Sequence, residues 1–571
     1  MLIQKLIIDD SAGAAIVNGG RMVSGKLYVD AGCTAAFDSY YNCMCYTKYR
    51  TYTTAENVEL RVKVNGQAKA SLCLFDGSEH VLSSKNTNEN GEAVLYTDFE
   101  SLSEEGFLYA SVTAKTDCEI LAAEYHTDAC PAELHTAVVI CTYRREDFVR
   151  RNLKLLSGMN SSFIDRIFVI DNGRTLDAEE LSDELIHVLP NKNLGGSGGF
   201  TRGIIEAVRS GATHIMLMDD DISFYPESLE RMNALVSLLR DEYSESWFSA
   251  AMIALDAPFR QYEMGADWNG SHAVVHHHDL DITDRRQLVY NLNDTNAQYG
   301  GWWTLLMPSG VTRAGLPLPL FIKFDDVEYG LRKSPDTKII TMNGAAVRHE
   351  AFDRKTSFVL DYYNLRNELI INSIHCGLTA GKALKRFWKE ILKECMLYRY
   401  DCCKLVFMAV DDFLQGADGF LVRDNEELNS ALISSAPKMS SLSDIPEWSE
   451  SLRCDDTIKD NHITPAGALT LGGHLIPPPL MRGDITALPL SRTGAGNIYK
   501  RRTVIQYQLG GDKGIVTRKS FGKLMKRLAQ AAAKSVVLIH RFKKAKASYS
   551  AQLDALTSFS YWNDRLGLKG D

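Results

Sequence analysis

Residues 136–156 read TAVVICTYRREDFVRRNLKLL, and this stretch decides the fold class. TAVVICT is an unbroken apolar run, as expected of a strand covered on both faces of a parallel sheet. RREDFVRRNLKLL follows with apolar residues at helical spacing. The alternation then repeats. RIFVIDNG (166–173), IHVLPN (186–191) and HIMLMDDD (214–221) read as further strands, and FTRGIIEAVRSG (200–211) as a helix. Strands alternating with helices predict a parallel or mixed α/β sheet with right-handed crossovers. Ligands of such sheets bind beyond the carboxyl ends of the strands, where Thr142, Asp171, Asn191 and Asp219 stand.

Upstream, residues 1–132 carry short alternating runs between Gly, Asn, Asp and Ser turns: KLYVD (26–30), VELRVKVNG (58–66), AKASLCLFDG (68–77) and FLYASVTAKT (107–116). They predict a β-sandwich without a major helix. Downstream, SFVLDYYNLRNELIINSI (357–374) and GKALKRFWKEILKECMLYRY (381–400) have helical spacing. Residues 435–500 are rich in Pro, Gly and Ser and read as irregular, and 515–556 read as helical. The expected division is a sandwich at 1–132, an α/β domain at 133–372 and a helical region at 373–571.

The 571-residue chain has a net charge of −9, which argues against a general nucleic-acid binder. No stretch approaches the roughly 20 apolar residues of a spanning helix, and the first residues lack the pattern of a secretory signal. The expected location is the cytoplasm or the inner face of a membrane. The 12 cysteines contain no CxxC, so reduced, mostly buried thiols are expected rather than a zinc site. Between Lys500 and Lys546, Asp512 is the only acidic residue among many Lys and Arg. A basic amphipathic helix there suits an anionic membrane surface, and a solvated face or a subunit contact in a homo-oligomer suits it as well.

The strongest chemical signal is Asp219-Asp220-Asp221. Alternate residues leaving a strand point the same way, so Asp219 and Asp221 can converge on a hard divalent cation, Mn²⁺ or Mg²⁺. An isolated DDD would read as an acidic turn, but at the end of a central strand the metal is the better reading. His349, at the end of the apolar run before HEAF, is an acceptable third ligand. His276–His278 are a rival set, read as solvated. NKNLGGSGGFTRGI (191–204) offers glycines before a helix N-terminus, a favourable place for phosphate, with Arg202 just inside. It lacks the GK[ST] of a Walker loop. In FIKFDDVEYGLR (321–332), Asp325 and Asp326 supply carboxylates of the kind that takes a proton from an attacking hydroxyl. Trp302 and Trp303 read either as a stacking platform for a sugar or as core.

In this order, CTYRR, VIDNG, NLGGSGGFTRG, MDDDI, GGWWT, FIKFDDVEYGLR, VRHEAF and YYNLRNELI resemble family 2 glycosyltransferases of the GT-A fold, and most nearly the bacterial galactofuranosyltransferases that polymerise galactan. The resemblance covers roughly residues 136–372. It implies an inverting, metal-dependent transfer from UDP-galactofuranose to a galactan or cell-surface glycan, lipid-linked in that family. It also implies an N-terminal β-sandwich and a mainly helical C-terminal region. Carried over by residue, Asp219, Asp221 and His349 would hold the metal, and Asp326 would be the catalytic base. Thr142, Arg144, Asp171, Asn193, Arg202 and Asp220 would face the donor. Trp302, Trp303, Lys323 and Asp325 would position sugar or acceptor. Two departures bear on the acceptor: Asn364 replaces a donor-contacting His, and Glu263–Asp267 does not reproduce the acidic acceptor contact cleanly. The competing readings are a related transferase with a rhamnosyl donor, a nucleotidyltransferase, and a non-catalytic carbohydrate-binding protein. The intact DDD and FDDVE argue against the last.

Overall fold

The first α/β strand, Thr136–Thr142, lies inside a seven-stranded sheet in the computed structural model, which describes residues 1–8, 18–159, 163–350, 357–453 and 463–568. The strand order is Ile186–Pro190, Ile164–Asp171, Thr136–Thr142, His214–Asp219, Thr304–Pro308, Trp247–Ser249, Ile339–Ile340. The first four strands are mutually parallel, and Thr304–Pro308 runs antiparallel to His214–Asp219. Ala137, Val138, Val139 and Ile140 are all at 0% exposure, which explains the unbroken apolar run: both faces of the strand are covered.

One of the covers is the helix Gly195–Arg209, which packs against that strand unusually closely. A methyl group added at Gly203 would lie 2.0 Å from Val139 Cγ1, and one at Gly199 would lie 2.2 Å from Cys141 Sγ. These two glycines therefore serve helix-to-strand contact, a different use from the approach to phosphate that the motif suggests.

A second, five-stranded sheet carries Ala346–His349 alongside Ala251–Ala254 in parallel register, with Ala254 opposite His349. This pairing brings a residue far along the chain to the edge where Asp219 and Asp221 lie.

The N-terminal region forms two antiparallel sheets. One contains Asn57–Asn65 and Cys118–His126, the other Ala68–Phe75 and Phe107–Ala114. A short helix, Tyr46–Tyr52, was not expected from the sequence. One apolar core runs from this sandwich into the α/β sheet, through residues such as Leu60, Val62, Met216 and Phe248. Arg231, 1% exposed, ties the two regions together by donating to the carbonyls of Lys5, Tyr41 and Gly344. Sandwich and α/β sheet belong to one compact unit, Met1–Pro317 with Asp326–Glu350 and Trp562–Asp571.

The other unit comprises Leu318–Asp325 and Ala351–Tyr561. Its helices include Val359–Ile374, Ala380–Met396, Cys403–Gln415 and Phe521–Leu556. The stretch read as irregular contributes to a four-stranded sheet of Ser440–Ser441, Lys513–Arg518, Thr503–Tyr507 and Thr486–Pro489. The helix read at 515–556 therefore starts at Phe521 and not at 515. It buries Leu524, Ala531, Leu538, Phe542, Ala545 and Tyr549, while Met525, Val536 and Ile539 stay exposed beside exposed Lys523, Lys526, Arg541, Lys543 and Lys544. Among the described residues, no helix is long and apolar enough to cross a membrane.

Candidate active site

The strand His214–Asp219 ends at the acidic turn, and its three carboxylates have different surroundings. His349 Nε2 lies 3.2 Å from Asp221 Oδ1 and 4.0 Å from Asp219 Oδ2. One ligand atom from each of these three residues falls within 4.8 Å of the others. Two carboxylates and an imidazole form a donor set that fits Mn²⁺ well and Mg²⁺ acceptably. Asp220, in contrast, is turned inward and 6% exposed. Its Oδ2 accepts from the Thr142 hydroxyl at 2.7 Å, its Oδ1 pairs with Arg145 at 2.9 Å, and its carbonyl accepts from Asn152 at 2.8 Å. Burial pushes the Asp220 carboxyl up, and Arg145 and Thr142 oppose that rise. Arg145 also reaches Asp221 Oδ2 at 2.6 Å, so one guanidinium ties the inward acid to the outward one.

The sequence reading singled out Arg144, not Arg145. Arg144 has a φ of +56° and lies 5.2 Å from the centre of the Tyr143 ring. The left-handed turn at that residue sends its neighbour toward the acids, a reversal that no pattern in RR announces.

The second acidic element is built by Asp326 and Glu263. Asp326 lies in the helix Asp325–Leu331, and its Oδ1 accepts from the Val327 amide at 2.8 Å. Glu263, on the strand Arg260–Glu263, is 5% exposed. Burial pushes its carboxyl up to about 8, and the charge of Asp326 adds to the rise. The same two acids, after burial, raise the Tyr299 hydroxyl far above its ordinary value. Glu263 is thus a neutral acid beside an acid expected to act as a base. The sequence reading noted its segment only as a departure. Asp267, in the same segment, is engaged elsewhere, with His276 at 3.2 Å and the Gln298 amide at 2.9 Å.

The remaining expected residues divide by what they touch. Asp171 is 1% exposed and organises its own turn, accepting from the amides of Gly173, Thr175 and Leu176 at 2.7–2.9 Å. Asn193 accepts from the Gly195 amide at 3.1 Å, at the start of the glycine-rich helix. Arg202 pairs with Glu206 at 2.8 Å along that helix. Trp302 and Trp303 are each 5% exposed. Trp303 is a core residue whose indole donates to the Ala250 carbonyl at 2.9 Å. Trp302 packs edge-on against Phe200 at 5.2 Å, and its buried indole N–H has no hydrogen-bond partner among the described residues. Lys323 and Asp325 belong to the segment grouped with the second unit. Asn364 is half-buried on Val359–Ile374. Of the rival histidines, His277 is buried and not solvated. Burial lowers its imidazole to about 4, and its Nε2 lies 3.1 Å from the Asn293 carbonyl.

Two stretches of the chain match known protein families. Residues 137–241 match the family model "Glycosyl transferase family 2". Residues 17–128 match the model "Galactofuranosyltransferase 2 N-terminal". Residues 137–241 form a family 2 glycosyltransferase domain. This transferase is 27% identical over 436 residues to the galactofuranosyltransferase GlfT2 of Mycobacterium tuberculosis, covering 69% of this chain and 67% of that protein. It is 27% identical over 457 residues to the GlfT2 of Mycolicibacterium smegmatis, covering 73% and 69% respectively. Among solved structures, glucosyl-3-phosphoglycerate synthase from Mycobacterium tuberculosis with Mn²⁺, UDP and glucosyl-3-phosphoglycerate aligns over 43% of this chain and 81% of that one, at 14% identity and a TM-score of 0.28. The transferase has an α/β core of GT-A type, preceded by a β-sandwich and followed by a mainly helical region.

Proposed function

We propose that this enzyme transfers galactofuranose from UDP-galactofuranose to a glycan acceptor with inversion at the anomeric carbon. The observation that carries the reading is the convergence of Asp219, Asp221 and His349 on one sheet edge, in a chain whose residues 17–128 match the galactofuranosyltransferase N-terminal model. Those three residues would hold Mn²⁺ or Mg²⁺, which when bound offsets charge on the departing diphosphate. Asp326 accepts the proton of the acceptor hydroxyl as that oxygen attacks. Glu263, whose carboxyl burial pushes up to about 8, stands beside Asp326 as a neutral acid. Arg145 and Thr142 fix Asp220, and through it the turn that carries the metal ligands. Arg144, Asp171, Asn193 and Arg202 border the donor, and the buried Trp302 indole N–H, without a hydrogen-bond partner among the described residues, would donate to a sugar hydroxyl. On this reading 1–132 is the sandwich, 133–372 the transferase domain and 373–571 the C-terminal region. The exposed basic and apolar face of Phe521–Leu556 docks on an anionic membrane surface that presents a lipid-linked acceptor.

The test is UDP release from UDP-galactofuranose with short galactofuranose-terminated acceptors, in Mn²⁺ and in EDTA, beside UDP-galactopyranose, UDP-glucose and a rhamnosyl donor. Metal-dependent turnover restricted to the furanose donor is expected, with a β-linked product. Turnover with another donor alone would overturn the galactofuranose assignment. For the membrane face, vesicle flotation at low salt should favour anionic over neutral lipid, and equal recovery would count against docking.

A further inference from the structure

Immediately before Asp325 and Asp326, the backbone takes a form that its residues do not favour. Phe321, Lys323 and Phe324 have φ of 77°, 69° and 65°. Non-glycine residues rarely enter this left-handed region, and several together persist only where surroundings over-determine them. The surroundings here are two consecutive buried residues of the helix Val359–Ile374, Arg366 at 1% and Asn367 at 0% exposure. The two amide hydrogens of Asn367 are matched by two close acceptors, the carbonyls of Ile322 and Lys323, each at 2.8 Å. Its Oδ1 accepts from Arg366 Nε at 2.9 Å, which fixes the amide's orientation. Arg366 in turn donates to the Leu320 carbonyl and lies 5.2 Å from the centres of both the Tyr362 and Tyr363 rings. The Phe321 ring stacks on Tyr363 at 5.3 Å.

We propose that Asn367, braced by Arg366, is a positioning residue for Asp326. The Asn367 side-chain amide supplies two hydrogen bonds to the backbone of the left-handed segment. Without it the loop relaxes toward ordinary φ, and the Asp326 carboxylate two residues beyond the segment moves with it. A displacement of about 1 Å at a reacting group costs on the order of 10²-fold in rate. The inference rests on the reading of Asp326 as the base.

The experiment is a kinetic double-mutant cycle on the full-length enzyme with Asn367→Ala, Asp326→Asn and the double variant, using whichever nucleotide sugar the wild type turns over. A wild type inactive on UDP-galactofuranose therefore overturns that donor and leaves the cycle readable. Asn367→Ala is expected to lower kcat by about 10²-fold, with donor KM and calorimetric UDP–Mn²⁺ affinity within about twofold of wild type. The double variant is expected to be no slower than Asp326→Asn alone, because Asn367 acts through Asp326. Additive losses would show a role independent of Asp326 and overturn the proposal, as would wild-type kcat in Asn367→Ala. If the alanine variant does not fold, Asn367→Ser, which keeps a donor but loses its reach, enters the same cycle under the same criteria.

Discussion

Replacing Glu263 by Gln removes an ionisable group without changing its shape, so it isolates the cost of burying that carboxyl. In the folded enzyme Glu263 keeps its proton to about pH 8, against an ordinary value of 4.5. The unfolded chain therefore releases this proton at a lower pH than the folded one. Between these limits the folded state binds more protons, so the Glu263 contribution to stability is fully present below pH 4.5 and falls as pH rises, until it is lost at about pH 8. At 1.36 kcal/mol per pH unit, the decline between about pH 5 and 8 amounts to roughly 4 kcal/mol. Glu263→Gln cannot show this decline. The assay is denaturant unfolding of both proteins by tryptophan fluorescence at several pH values across that window. The two should be close in stability near pH 5, with the variant gaining steadily over wild type toward pH 8. Parallel curves would refute the reasoning, because they would mean that Glu263 ionises in the folded enzyme as readily as in the unfolded one.

Arg145→Met should cost about 3 kcal/mol, since it leaves the buried Asp220 carboxylate without its cation. Burial already pushes Asp220 up, so that loss should shrink in acid, where the carboxyl is neutral, and thermal melts at two pH values check the trend. Gly203→Ala should cost roughly 1–3 kcal/mol through overpacking, because its methyl would lie 2.0 Å from Val139 Cγ1. An unchanged melting temperature would show that the helix moves away freely. Gly211→Ala, which meets no atom within 4 Å but sits at a φ of +80°, separates backbone strain from steric overlap.

The parts of the fold that the sequence made legible are those with a strong period. The run 136–142 could only be a strand covered on both faces, and Asp219 and Asp221 at the end of HIMLM needed nothing beyond the alternation of side chains along a strand. His349 was accessible by the same logic, since it too ends an apolar strand. The small C-terminal sheet was not, because its strands are two to six residues long, too short for a period to develop, and two of them lie in the stretch rich in Pro and Gly. The glycines of NLGGSGGFTRG read as sites of close approach, but local sequence does not say what approaches. Here, for Gly199 and Gly203, it is Cys141 and Val139.

What remained hidden at the site has one physical origin: each such feature depends on a partner distant in sequence. The Glu263 carboxyl is kept neutral by burial and by Asp326, 63 positions further on, so EMGADWNG alone gives no hint of it. Arg145 acts through Asp220, 75 positions further on, and through Asp221 beside it. FIKFDD contains no glycine, so any local reading gives its residues negative φ, and the left-handed run becomes intelligible only beside Asn367 and Arg366. In YYNLRN the resemblance draws attention to Asn364, and the residue three places on, matched to two backbone carbonyls by its amide geometry, reads as ordinary helix. A buried Asn in a helix whose amide points at another segment's backbone is therefore a signal worth testing beside any acidic pair that follows such a segment, since its hydrogen bonds report where the local propensities of that segment have been overruled.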